Sequence, residues 1–246
     1  MRNCGLSGII CVMCAKRRIL VADDDAGMRR ACRAMFESDG YEVVAAKDGA
    51  DALAKFDAGR FDLVVLDVMM PKMNGLDACA EIRRRDALTP VLFFTAMPSE
   101  ASAVKALGHG ADDYVEKSRP PEELRARVRA ALRRADAYGD AARRGGGEVA
   151  EDLRIGGVRA DFATLTVEQN GRSTPLTKSE ALVLRLLAGS PGRFFSREEI
   201  LAEVRGAGHE GDDGALRVLV SRLKRKLGAA GGMIVNARGS GYKFLK

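Results

Sequence analysis

The sequence predicts an α/β fold: a five-stranded, doubly wound parallel domain, then a smaller unit of short strands, three helices and a final hairpin. Two observations carry this reading. Five short apolar runs alternate with amphipathic stretches through the first half, at residues 19–22, 43–45, 63–66, 91–94 and 113–115, and near-continuous hydrophobicity in short strands marks a parallel sheet covered on both faces. After a glycine-rich interruption at residues 145–147 that alternation ends. A chain of 246 residues suits two modest domains, because a single core stops growing efficiently before about 250–300 residues. With 46% hydrophobic and 30% charged residues, the composition is that of a folded protein rather than a disordered one.

Each element has its own warrant. In the doubly wound half, assigned to residues 16–136, each strand leads into a helix, and function is expected at the carboxyl ends of strands near the reversal in strand order. Residues 137–150 lack apolar periodicity and read as a flexible linker. The second domain is assigned to residues 151–246, with strand candidates at 152–155, 158–161 and 165–169. Thr177-Lys-Ser-Glu180 and Ser196-Arg-Glu-Glu199 both fit the capping box, in which hydroxyl and carboxylate each satisfy an orphan amide. Helices are therefore expected from about residues 178 and 197. A third is expected over 214–227, with an apolar stripe at Leu216, Val220, Leu223 and Leu227. That spacing turns Arg217, Ser221, Arg222, Lys224 and Arg225 largely outward, and a tight basic turn follows at 238–241.

Charge separates the halves. Residues 16–136 carry 21 Lys/Arg against 21 Asp/Glu, residues 137–246 carry 18 against 13, and residues 214–246 hold eight basic residues and no acidic one. A one-sign tail points to a polyanionic partner, a solvated helix face being the plainer alternative. The five cysteines (Cys4, Cys11, Cys14, Cys32, Cys79) form no even framework, which fits a reducing cytoplasm. Cys11 and Cys14 have the spacing of half a zinc or redox site without its second half. Residues 1–15 are an N-terminal extension of unknown role, too short in its apolar stretch to span a bilayer.

The chemistry concentrates at strand ends. Asp23 and Asp24 follow the first run and Asp67 the third, so in a parallel sheet the three carboxylates converge. Such a cluster needs a cation, and hard oxygen donors suit Mg²⁺. A carboxylate also serves as nucleophile toward phosphorus. Thr95 and Lys117, after the fourth and fifth runs, would bind phosphoryl oxygens by charge-assisted hydrogen bonds. Taken singly, the Asp23–Asp24–Asp25 run also reads as a helix cap, Thr95 as an ordinary strand end and Lys117 as a surface residue.

The segments Ile19-Leu-Val-Ala-Asp-Asp-Asp25, Leu66-Asp-Val-Met-Met-Pro-Lys-Met-Asn-Gly75, Phe94-Thr-Ala96 and Gly110-Ala-Asp-Asp-Tyr-Val-Glu-Lys117 resemble the receiver domain of two-component response regulators. The resemblance implies that Asp67 accepts a phosphoryl group from a sensor histidine kinase. It also implies that Asp23, Asp24, Asp67 and the Met69 backbone carbonyl hold Mg²⁺, that Thr95 and Tyr114 form a switch pair, and that Lys117 contacts the phosphate. Asp112, Asp113 and Arg127 stand where such proteins form salt bridges in a receiver-mediated homodimer. One departure is Ser118 in place of the usual proline, which implies a less well aimed Lys117.

In the second domain, Leu176-Thr-Lys-Ser-Glu180, Pro191-Gly-Arg-Phe-Phe-Ser-Arg-Glu-Glu199, Val220-Ser-Arg-Leu-Lys-Arg-Lys-Leu227 and Ala237-Arg-Gly-Ser-Gly-Tyr-Lys-Phe244 are similar to the winged helix-turn-helix effector of OmpR/PhoB-like regulators. That similarity implies double-stranded promoter DNA as partner, with Val218, Leu219, Ser221, Arg222 and Lys224 on the third helix and Arg238 and Tyr242 on the wing. Tyr242 reads equally as a core ring of the hairpin. Contact with RNA polymerase is a further implied partner. Two rival readings stand beside this one. One is a regulator whose receiver is a constitutive dimerisation module. The other is a Mg²⁺-dependent aspartyl phosphatase, against which Met69 occupies the position of that chemistry's second acid.

Overall fold

A computed structural model describes residues 16–96, 109–144, 152–205, 213–236 and 241–245. Residues 1–15, with Cys4, Cys11 and Cys14, lie outside them.

The first domain contains β1 (Arg18–Ala22), α1 (Ala26–Ser38), β2 (Glu42–Ala46), α2 (Gly49–Ala58), β3 (Leu63–Leu66), α3 (Gly75–Arg85), β4 (Val91–Thr95), β5 (Asp113–Glu116) and α4 (Pro121–Arg144). The strands form one parallel sheet in the order β2-β1-β3-β4-β5. All four residues of β3 and all five of β4 are buried, which is why the sequence shows apolar runs there and no alternation. One face packs Phe56, Val64, Cys79, Ile82 and Phe93; the other packs Phe36, Val65, Leu92, Leu124 and Val128. Fully burying each such side chain contributes about 1.5–3 kcal/mol before entropy is charged. Helix starts are marked by short polar caps. Asp25 accepts from Met28 N, Asp48 from Asp51 N and Asn74 from Asp77 N, each satisfying an amide the helix leaves open.

The expected linker over 137–150 is corrected at its start, because α4 runs unbroken to Arg144. The stretch from Ala135 to Arg144 lacks an apolar stripe but is rich in Ala and Arg, which favour the helix intrinsically. Residues 145–150, the rest of that expected linker, lie outside the described residues.

The second domain opens with an antiparallel sheet of β6 (Leu153–Ile155), β7 (Val158–Asp161), β8 (Thr166–Gln169) and β9 (Arg172–Pro175). The fourth strand leaves no apolar record in the sequence because its residues are mostly exposed and polar. Then come α5 (Lys178–Ala188), β10 (Phe194–Ser196), α6 (Arg197–Arg205), α7 (Asp213–Leu227), a 3₁₀ turn (Gly228–Met233), β11 (Ile234–Asn236) and β12 (Gly241–Phe244). The last strand sits between β10 and β11. A side chain at Gly241 would meet the Phe195 carbonyl oxygen at 2.1 Å, so glycine there permits the closing pair.

The domains touch. Ser179 at the start of α5 donates to Asp112 Oδ1 at 3.1 Å, and Val218 of α7 packs against the first domain's Phe93-containing cluster. No described helix is long and apolar enough to cross a membrane.

Candidate functional site

Strand order builds the acidic pocket. The chain reverses direction across the sheet between β1 and β3, and a crevice opens at the carboxyl ends of these strands. Asp23 N donates to Ala46 O at 3.2 Å and Asp67 N to Ala22 O at 2.8 Å, so the backbone fixes both acids at the rim. Asp23, Asp24 and Asp67 offer oxygens within 4.8 Å of one another, with Asp23 and Asp67 buried and Asp24 exposed. Asp25 is the helix cap, and Asp23 Oδ1 accepts from its amide at 2.9 Å. Gly75 lets α3 start directly beneath Asp67, since a side chain there would fall 1.9 Å from the Asp67 carbonyl oxygen.

Lys117 reaches both buried acids, its Nζ standing 2.6 Å from Asp67 Oδ2 and 2.7 Å from Asp23 Oδ2. The expectation that Ser118 would spoil its aim is therefore corrected. Lys117 N also donates to Thr95 O at 2.7 Å, which ties its backbone to the end of β4. Burial alone would lower the Lys117 pKa, but the Asp23 and Asp67 carboxylates outweigh it and raise the value. Burial raises the Asp23 pKa, and Lys117 only partly offsets it. Thr95 is buried at the strand end. Met69 exposes its side chain and donates its amide to Asp67 Oδ1 at 3.3 Å. Tyr114 is half-buried against the inner cluster. These short-range constraints bring together the acids and the ammonium that the sequence placed on separate strands, with Thr95 joined to Lys117 through its backbone carbonyl. The donor set of hard carboxylate oxygens fits Mg²⁺.

The helix α7 is arranged differently from expectation. Leu219 and Tyr242 belong to the second domain's core, which makes Tyr242 a hairpin core ring in this structure. Arg222 is also buried, and its guanidinium stands 3.0 Å from Oε1 of fully buried Glu180. The helical stripe alone turns Arg222 outward; the partner that draws it in is remote in sequence. Lys226 Nζ lies 2.6 Å from Glu180 Oε2, which also accepts from Thr177 N at 2.8 Å in the capping box. Glu180 therefore joins the start of α5 to α7, a role that the capping pattern alone does not reveal. Of the helix positions named for DNA, Ser221 is exposed and Lys224 half-buried, while Arg217 and Arg225 are exposed beside them. Arg238 lies outside the described residues.

At the expected dimer surface, the charges already have partners within the chain. Arg127 donates to Asp113 Oδ1 at 3.1 Å and to Glu123 at 2.9 Å. Asp112 pairs with Arg83 at 2.6 Å, both side chains being largely buried.

Comparison with known proteins covers both halves. Residues 19–129 match the family model described as response regulator receiver domain, and residues 171–244 that of transcriptional regulatory protein, C terminal. The chain is 40% identical over 234 residues to a probable transcriptional regulator ycf27 of Cyanophora paradoxa, covering 93% of this chain and 96% of that protein. It is 39% identical over 227 residues to response regulator MprA of Mycobacterium ulcerans (strain Agy99), covering 92% and 96%. Among solved structures, a mutant form of RitR superposes with a TM-score of 0.74 at 22% identity, over 94% of this chain and 99% of that one.

Proposed function

From a chain that belongs to the OmpR/PhoB-type response regulators of transcription, with receiver and winged-helix DNA-binding domains, we propose a phosphorylation-controlled DNA switch. A histidine kinase supplies the phosphoryl group. An Asp67 carboxylate oxygen attacks phosphorus, the bond to the kinase imidazole breaks, and an acyl phosphate forms on Asp67. The observation that carries this reading is the convergence of Asp67, Asp23, Asp24 and Lys117 within one crevice.

Asp23, Asp24, Asp67 and the Met69 carbonyl would hold Mg²⁺, which when bound offsets charge on transferring phosphoryl oxygens. Lys117 is positioned to contact the new phosphoryl oxygens, and Thr95 presents its hydroxyl from the neighbouring strand end. Engagement of Thr95 and inward movement of Tyr114 would then alter the face around β5. The receiver dimerises through that face, with Asp112, Asp113 and Arg127 exchanging partners across it. Two second domains bind paired half-sites on promoter DNA, through the exposed basic positions of α7 and the turn bearing Arg238, and RNA polymerase reads the outcome.

The test is incubation with a small phosphoryl donor and Mg²⁺, comparing wild type with Asp67→Asn for dimerisation and DNA affinity. Phosphorylation is expected to raise both in wild type and neither in the variant. Identical behaviour of the two proteins would sink the switch and favour a constitutive dimerisation module. Steady multiple turnover of small phosphate esters would instead favour the phosphatase reading.

A further inference from the structure

The loop from Asp67 to Gly75 is tied to the start of α2, and the tie holds one residue in an unfavourable conformation. Lys72 has a φ of 63°, in the left-handed region that a Cβ disfavours and glycine adopts freely. Such a residue persists where surrounding contacts over-determine it. The Lys72 Nζ stands 2.8 Å from Asp48 Oδ2, and the Asp48 side chain is only 3% exposed. The other oxygen, Asp48 Oδ1, accepts from Asp51 N at 2.8 Å. One carboxylate thus caps α2 and holds the loop that follows Asp67.

A backbone contact lies beside the ion pair. Gly49 N donates to Met73 O at 3.1 Å, and a side chain at Gly49 would fall 2.5 Å from that oxygen, so glycine permits the approach. Within the loop, Gly75 N donates to Val68 O at 3.0 Å and Met73 N to Pro71 O at 2.8 Å. Val68 and Met70 are buried in the inner cluster and Met73 packs against it. The Met69 backbone is therefore held between two sunken neighbours, provided that the far end of the loop stays in place. The turn bearing Asp48 also reaches the other wall of the crevice. Asp48 stands two residues after Ala46, whose carbonyl accepts from Asp23 N. The Asp48–Lys72 pair thereby joins the backbone that anchors Asp23 to the backbone that carries Asp67 and Met69.

We propose that Asp48 and Lys72 are positioning residues for the divalent cation, their ion pair bracing the loop between β3 and α3 so that the Met69 carbonyl stands ready beside Asp23, Asp24 and Asp67. The inference rests on the reading of this crevice as a Mg²⁺-dependent phosphoryl acceptor. Mg²⁺ demands near-ideal octahedral geometry, so a backbone ligand on a loop serves it best when the loop is fixed beforehand. Asp48 is not itself offered as a ligand, since both its oxygens are engaged. Removing groups that orient metal ligands lowers affinity by about 10–100-fold. A smaller factor, about fivefold, is expected here, because the Lys72 side chain is 66% exposed and solvated ion pairs are individually weak.

The experiment compares the full chain with two variants that break the pair. Asp48→Asn keeps a cap acceptor for α2 and removes the charge; Lys72→Gly removes the ammonium and accepts the left-handed backbone. Lys72→Arg is the conservative control. Binding of Mn²⁺, read from the electron paramagnetic resonance of the free ion and by competition with Mg²⁺, needs no phosphoryl donor. Labelling by acetyl phosphate across a Mg²⁺ series then gives the half-saturating concentration and the maximal rate separately. Both broken-pair variants are expected to bind Mn²⁺ about fivefold more weakly. Their half-saturating Mg²⁺ should rise by the same factor at an unchanged maximal rate, with Lys72→Arg near wild type. Wild-type Mn²⁺ affinity in either broken-pair variant, even with a lowered unfolding temperature, would overturn the brace and leave a pair that serves stability alone. A wild-type chain that binds no Mn²⁺ and is labelled independently of Mg²⁺ would overturn the metal reading of the crevice, and the inference with it.

Discussion

Glu180 is fully buried, and its oxygens are engaged by Thr177 N, Lys226 and Arg222. A buried carboxylate without partners is far costlier than the pair is worth, so Arg222 answers first to the fold. Arg222→Ala leaves Lys226 in place and is expected to destabilise the second domain by about 2 kcal/mol, below the roughly 3–5 kcal/mol seen when a buried charge loses every partner. Urea denaturation measures this. Weakened DNA binding at unchanged stability would instead return Arg222 to the DNA surface. At this scale the sequence is informative about the acidic pocket and less so about the helix. Asp23, Asp67 and Lys117 each follow an apolar run that fixes where they point. The burial of Arg222 depends on a partner at Glu180 on another helix, and no periodicity within α7 contains that information.

Among the elements, β1 to β5 are legible because burial on both faces leaves a continuous apolar record. The starts of α5 and α6 are legible because Thr177–Glu180 and Ser196–Glu199 each close reciprocal bonds. The strand β9 and the end of α4 are not, since one is exposed and the other carries no apolar stripe in the sequence. Junctions between elements are where small changes should act most strongly. Gly75 joins α3 to the end of β3, and Gly75→Ala would drive a methyl group into the Asp67 carbonyl. A loss of about 3 kcal/mol or more is expected, together with slower phosphoryl acceptance as Asp67 shifts. Thermal unfolding and a phosphorylation time course check the two parts separately, and a variant as stable as wild type would show that the junction yields freely.

For the whole molecule, charge is divided between two units with different work. Eight basic residues and no acidic one lie within residues 214–246, and Arg217 and Arg225 are exposed on α7. DNA binding should therefore weaken linearly in log–log terms with salt, by a slope of about −0.9 for each phosphate contacted. Titration of a DNA duplex with the full chain at several ionic strengths gives that slope, and a flat line would exclude phosphate contacts as the source of affinity.

The unbroken helix α4 carries a consequence for how small a contact between the two domains can be. Its 24 residues make a rod about 36 Å long, and only the seven residues 145–151 then separate it from residue 152. Seven residues span at most about 25 Å however they are arranged. Each domain therefore meets the other at an effective concentration on the order of millimolar. Contacts too feeble to join two separate molecules suffice here, and the Ser179 hydroxyl on Asp112 together with the Val218 side chain is enough to hold one domain against the other.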